Sequence, residues 1–151
     1  MIIEIKNEDQ KECITRSILD QLPDWFGIQE AIDEYAIDSR QYPFWIASEN
    51  EKTVGFISLK ETSPYTCEIY VIGVLPDYHG RKIGTQLFEA FKSYAKEKNY
   101  SFIQVKTVKQ GIYSYYDKTN QFYQHLGFKE LEAFPKLWDE KNVCQIYIQS
   151  I

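Results

Sequence analysis

The sequence has few histidines, no paired cysteines, no long apolar run and no basic excess, and each shortage removes a class of function. Its two histidines, His79 and His125, and its three cysteines, Cys13, Cys67 and Cys144, form no C-x-x-C pair, so no spacing assembles a zinc site and no metal is expected. All three thiols read as buried, reduced fillers. No segment approaches the ~20 apolar residues that a membrane span requires. The opening MIIEIKNEDQ places Glu4, Glu8 and Asp9 where a signal peptide would be basic and then apolar, which reads as a cytoplasmic chain. Seventeen Lys and Arg stand against twenty-two Asp and Glu, a net charge of -5. An average surface of that sign repels nucleic acid and anionic membrane, so neither is expected as a partner, while a cationic substrate is favoured. No glycine is followed by Lys and Ser/Thr as in a P-loop, and no G-x-G-x-x-G occurs, which counts against ATP and dinucleotides.

What is present suffices for one well-filled core. At 151 residues and 44% hydrophobic content, the chain reads as a single domain over 1–151. Met1 to Lys6 alternates as a short strand, and Asn7 or Asp9 then caps a helix carrying Ile14, Ile18 and Leu22, closed by Pro23. Gln29 to Ser39 reads as a second helix. FWIASE and TVGFISLKE flank the polar tetrad Glu49, Asn50, Glu51, Lys52 as a hairpin. After a turn at Ser63, Pro64 and Tyr65, TCEIYVIGVL is apolar enough to be buried on both faces at the sheet centre. From Lys82 to about Lys98, the stripe Ile83, Leu87, Phe91, Tyr94 and Ala95 predicts a strongly amphipathic helix. SFIQVKT is a strand, Tyr116 to Leu126 a helix stopped by Gly127, and FKELEAF and NVCQIYIQS are two final strands. The order is β, α, α, β, β, β, α, β, α, β, β.

That order places VLPDYHGRKIGTQ, residues 74–86, at a strand-to-helix junction inside a βαβ crossover. The first amides of a helix lack intrahelical partners, and together with the helix dipole they can hold an anion of phosphate size. Gly80 and Gly84 would let a ligand approach the backbone. A plain tight turn with helix-packing glycines fits the same spacing, and glycine placement alone leaves both readings open.

The turn His79, Gly80, Arg81, Lys82, Ile83, Gly84, with Val74, Leu75 and Pro76 before it, resembles the Q/R-x-x-G-x-G/A segment of the GNAT superfamily of N-acetyltransferases. TNQFYQHLGF near the end is similar to that family's x-F-Y-x-x-x-G-F segment, and the element order fits over essentially the whole chain. The resemblance implies an α/β (α+β) fold: a mixed, mostly antiparallel seven-stranded sheet with a splayed parallel pair at its centre, flanked by about four helices. It also implies acetyl-CoA as cosubstrate, its pyrophosphate on the turn from His79 to Thr85 and its pantetheine arm paired with backbone from Ile72 to Val74. Tyr116 and Asn120 are candidates to touch pantetheine or the adenosine side, or else serve ordinary capping and surface polarity. The departures are His79 where Gln or Arg is usual and Lys82 where glycine is usual. The Lys82 amide is expected to serve from ordinary helical geometry, with its charge near the pyrophosphate.

Acetyl transfer to an amine needs a base and an acid, since an ammonium of pKa ~10.4 is no nucleophile until it loses a proton. Glu68 is the single carboxylate in the central apolar strand. It resembles in position a glutamate that is the base in some family members, acting directly or through water; a strand-end glutamate paired with a lysine is the competing reading. Tyr123, in the F-Y-x-x-x-G-F segment, matches the tyrosine that many members place near the cofactor sulfur as general acid. The acceptor, a small-molecule or peptide amine, would meet LPDWFGIQEAIDEY and AFPKLWDE. There Trp25, Phe26, Tyr35 and Trp138 beside Asp24, Glu30, Asp33, Glu34 and Asp139 suit an amine on an apolar body; core closure and a solvated acidic face suit them equally. The aromatic loop QGIYSYYDKT would cover the site or join two copies as a homodimer.

Overall fold

Local signals set most element ends in the computed structural model, which describes residues 1–151. After β1 (Ile2–Glu4), the Asn7 side chain accepts from the Gln10 amide and starts α1 (Glu8–Leu19), the bond by which such a residue satisfies an orphan helix donor. Helix α1 ends four residues before Pro23 rather than at it, and the chain then turns through Leu22, whose carbonyl accepts from Phe26. Helix α2 spans Gln29–Ser39. Strands β2 (Phe44–Glu49) and β3 (Lys52–Ser63) are joined by Asn50 and Glu51, both at positive φ (50° and 65°). A two-residue connection of that hand matches the twist of paired strands. The Ser63 hydroxyl accepts from the amides of Tyr65 and Thr66 and turns the chain into β4 (Thr66–Val74).

A short 3₁₀ turn at Pro76–Tyr78 leads through residues 79–82 to α3 (Ile83–Glu97). Then come β5 (Phe102–Val108), α4 (Ser114–His125), β6 (Lys129–Asp139) and β7 (Asn142–Ser150). Helix α4 begins two residues earlier than its sequence pattern suggests, and AFPKLWDE is the far half of β6. That half loses register with β7 between Phe134 and Asp139, where Pro135 interrupts the alternation that would mark a strand.

The seven strands form one sheet in the order β1-β2-β3-β4-β5-β7-β6, and β4 with β5 is its only parallel pair. Helices cover both faces. A side chain at Gly73 would meet Ile18 of α1 and Leu22 just after it, whereas Gly55, opposite Val74, faces Leu87 of α3; adjacent residues of one strand point to opposite faces. The Arg16–Asp33 ion pair ties α2 to α1, and Phe88 packs on Phe128 beside α4. The apolar stripe of α3 packs into the core: Ile83, Leu87, Phe91 and Ala95 are buried together with Phe88, while Tyr94 is half-buried.

One feature of the sheet places the site. Strands β4 and β5 are paired from Thr66/Phe102 only as far as Ile69/Val105, yet β4 runs on to Val74 and β5 to Val108. Tyr70, the first residue past the fork, also marks a bulge, because Ser58 pairs with Val71 and Leu59 with Ile69. A bulge of this kind bends a strand and increases its twist.

Candidate active site

The open end of the fork faces the turn that carries the glycines. His79 donates its amide to the Pro76 carbonyl, and Gln86 donates to the carbonyl of Lys82. Between them, the amides of Gly80, Arg81, Lys82, Ile83, Gly84 and Thr85 have no protein acceptor. Four of them, from Lys82 to Thr85, are the orphan donors of the α3 N-terminus, and the other two extend the row into the turn.

The backbone reaches this arrangement through two left-handed residues on either side of Arg81, Gly80 at φ 78° and Lys82 at φ 62°, ψ 18°. The expected helical geometry at Lys82 is therefore corrected. Lys82 is the N-cap and keeps the left-handed conformation that a glycine would hold without strain, because the chain must turn there to present its amides outward.

The two glycines have different causes. A side chain at Gly80 would meet nothing within 4 Å, so its φ alone requires glycine. At Gly84 an added Cβ would lie 2.9 Å from the Phe122 ring. This glycine lets α4 pack on the first turn of α3, and it is where the two sequence motifs touch.

His79 folds back so that Nε2 lies 2.6 Å from the Val74 carbonyl oxygen. Trp25, from the segment between α1 and α2, packs edge-on against both His79 and Tyr115. Its indole donates to the Thr119 hydroxyl, and its carbonyl accepts from the Tyr116 hydroxyl. Trp25 thereby joins the turn after β4 to the helix after β5, across the mouth of the fork. Sequence reasoning placed Trp25 among acceptor or core residues and missed this bridge, because partners 54 and more positions away leave no local signal.

Asn120 points into the interior. It is fully buried, donates to the carbonyls of Val108 and Tyr116, and accepts from the Tyr147 hydroxyl at 2.6 Å. Its hydrogen-bonding groups are spent on fastening α4 to β5 and β7. Arg81 turns toward the β2–β3 hairpin, 3.8 Å from Glu49 and 4.9 Å from the centroid of the Tyr78 ring. Ile72 and Val74, half-buried, lie beyond the last β4–β5 pair.

Glu68 and Tyr123 approach the fork from different elements. Glu68 is 5% exposed, and its Oε1 accepts from Gln104 at 3.0 Å and faces the Lys106 ammonium at 3.4 Å. Oε2 has no protein partner. Burial first, then the Glu68 charge, raises the ionisation of Tyr35 on α2; for Tyr42 burial and Asp38 come before Glu68. Tyr123, buried on α4, packs edge-on against Phe128, and its hydroxyl has no protein partner. Burial first, then Tyr116 and Tyr35, push its ionisation well above the ordinary value of 10.0, so the phenol stays protonated at neutral pH.

On the α2 side stands an aromatic wall. Phe26, Tyr35, Tyr70 and Tyr42 meet edge to edge in sequence, and the Tyr70 hydroxyl donates to Asp38 at 2.6 Å. Trp138 is exposed on edge strand β6, and Cys13 is an exposed thiol, unlike buried Cys67 and Cys144.

The central strand pair parts after Ile69, the turn after β4 carries a row of amides without a protein acceptor, and Tyr123 is buried on α4 with its hydroxyl unpartnered. The model of the GNAT acetyltransferase domain matches residues 40–130, and the chain belongs to this family of acetyltransferases. Solved structures agree on the fold. A GNAT-family protein from Desulfovibrio desulfuricans superposes with a TM-score of 0.86 at 16% identity, covering 99% of this chain and 98% of that one. An aminoglycoside 6'-N-acetyltransferase from Enterococcus faecium gives 0.76 at 16%, covering 99% and 96%. A GNAT acetyltransferase from Elizabethkingia anophelis with acetyl-CoA bound gives 0.69 at 22%, covering 87% and 89%. No curated protein matches the chain.

Proposed function

We propose that the protein transfers the acetyl group of acetyl-CoA directly to a primary amine of a small molecule or peptide. The observation that carries this reading is the uninterrupted row of unpartnered amides from Gly80 to Thr85 at the mouth of the β4–β5 fork. Backbone donors at a helix N-terminus suit a diphosphate, and an unpaired strand edge suits the amides of a pantetheine arm. The fork fits acetyl-CoA in kind: anion donors outside, and within it a β4 edge that has left β5 after Ile69, where His79 already engages the Val74 carbonyl, with the buried Tyr123 phenol read as the acid. Thr85 and Ile83 contribute through their amides, His79 by holding the Val74 carbonyl, and Tyr116 by holding the Trp25 segment over the groove.

When bound, acetyl-CoA supplies an activated thioester. Glu68 Oε2 accepts the proton that the ammonium must lose, directly or through water, while Gln104 and Lys106 hold Oε1 in place. The amine nitrogen forms a bond to the acetyl carbon and the carbon–sulfur bond breaks. Tyr123 would give its proton to the departing sulfur and be reprotonated by the second proton that the acylated nitrogen sheds, directly or through water, so that the net proton released is the one first taken by Glu68. The wall of Tyr35, Tyr70 and Tyr42 beside Asp38 suits a cationic acceptor, and the aminoglycoside acetyltransferase on the same fold acts on an amine-bearing small molecule.

A CoA-release assay over an amine library tests this reading, together with calorimetry of CoA binding. The parent protein turns over at least one amine. Tyr123→Phe and Glu68→Gln each lower turnover by about 10²- to 10⁴-fold, the size of one general acid or base, with CoA affinity kept. Failure of the parent to bind CoA at millimolar concentration overturns the reading.

A further inference from the structure

Strand β6 is the outer edge of the sheet beyond β7, and no further strand pairs with it. None of its residues is buried, and Leu131, Leu137 and Trp138 are left 55%, 53% and 44% exposed. An exposed edge bearing apolar side chains is a template for another chain. Both leucines stand where β6 departs from β7: Leu131 between the paired residues Glu130 and Glu132, and Leu137 between Phe134 and Asp139. No ion pair within the chain uses a β6 residue. Of the strand's carboxylates, Asp139 alone is engaged, accepting from Lys141 and Asn142 in the hairpin turn.

The order of these residues is a second, independent observation. Counted outward from Phe134, Lys136 lies two residues after and Glu132 two before, Leu137 three after and Leu131 three before, Asp139 five after and Lys129 five before. A second copy laid antiparallel with Phe134 opposite Phe134 therefore sets cation against carboxylate and leucine against leucine. Such cross-strand pairs are favourable, and a two-fold axis makes each of them twice. Pro135 offers no N–H beside the axis, so the two arms rather than the centre hold the pairing.

We propose that β6 joins two copies of this chain edge to edge about Phe134, continuing the sheet of one copy into that of the other. The pairing does not depend on the acetyl-CoA reading. It is also distinct from a contact through the aromatic loop, whose Tyr113, Tyr115 and Tyr116 rings pack on one another, with Tyr115 against Trp25.

Sedimentation velocity of the full chain over a range of concentrations tests this, with circular dichroism as the check on folding. The parent becomes a dimer as concentration rises. Glu132→Lys and Lys136→Glu each set two like-charged pairs face to face, and each weakens dimerisation about tenfold. The double variant Glu132→Lys/Lys136→Glu restores both pairs in reverse and recovers the parental dimer. An equimolar mixture of the two single variants also recovers it, because the unlike copies are complementary, and a loss caused by misfolding would be rescued by neither route. A parent that stays monomeric overturns the proposal. So does a dimer indifferent to either reversal, or a double variant that pairs no better than the single ones.

Discussion

Two clusters of polar groups lie within a few residues of the β4–β5 fork, and they are opposites. Around Asn120 every group is used: the amide nitrogen serves two carbonyls, its oxygen serves Tyr147, and the Tyr147 hydroxyl in turn accepts from Gln124. Around Lys82 almost nothing is used, since the amides from Gly80 to Thr85 donate to no protein atom. Burial explains the contrast. An unpaired polar group costs little at an exposed turn and a great deal in the interior, so the interior cluster had to be closed by the fold, while the exposed one stays open to an anion. A polar residue is informative through its unmet bonds more than through its position, and by that measure Asn120 is a fastener, while the amides around Lys82 are still open.

The sharpest break of this comparison is Asn120→Leu. It leaves the Val108 carbonyl and the Tyr147 hydroxyl short of partners and is expected to cost roughly 2–4 kcal/mol in denaturant unfolding, with the folded fraction keeping its CoA affinity. Unchanged stability, or a selective loss of CoA binding, would move Asn120 into the second cluster. Gly84→Leu comes next. The Cβ already crowds the Phe122 ring, so an overpacking cost of about 1–3 kcal/mol is expected. Phe122→Leu should recover part of it in a double-mutant cycle, and strict additivity would show that the two motifs do not press on each other there. The smallest effect belongs to Glu49→Ala. The Glu49–Arg81 pair is exposed and long at 3.8 Å, so Tm should barely move, within the ~0.5 kcal/mol usual for surface pairs.

Much of this was legible in the sequence because it depends on neighbours along the chain. Asn7 caps α1, Ser63 turns β3 into β4, the α3 stripe is buried, and the continuous apolar run of β4 lies at the centre of the sheet. The turn itself was recognisable from two glycines and a proline. Less legible were the features that need a second element to exist. The far half of β6 pairs with β7 only at Ala133, Phe134 and Asp139, on either side of the irregularity at Pro135. Cys13 looks like the other two thiols in composition and differs only in where α1 presents it.

By itself, then, the sequence determined the elements, their order and the turn after β4, since hydrophobic period, capping side chains and proline act within a few residues. The tertiary structure alone decided how polar groups were spent. It left Gly80 to Thr85 free, consumed Asn120, drew Arg81 to Glu49 and Tyr78, and stretched Trp25 across the fork. It also held Lys82 left-handed. A lysine disfavours that geometry locally, and it persists because the strand before and the helix after fix the path of the chain between them.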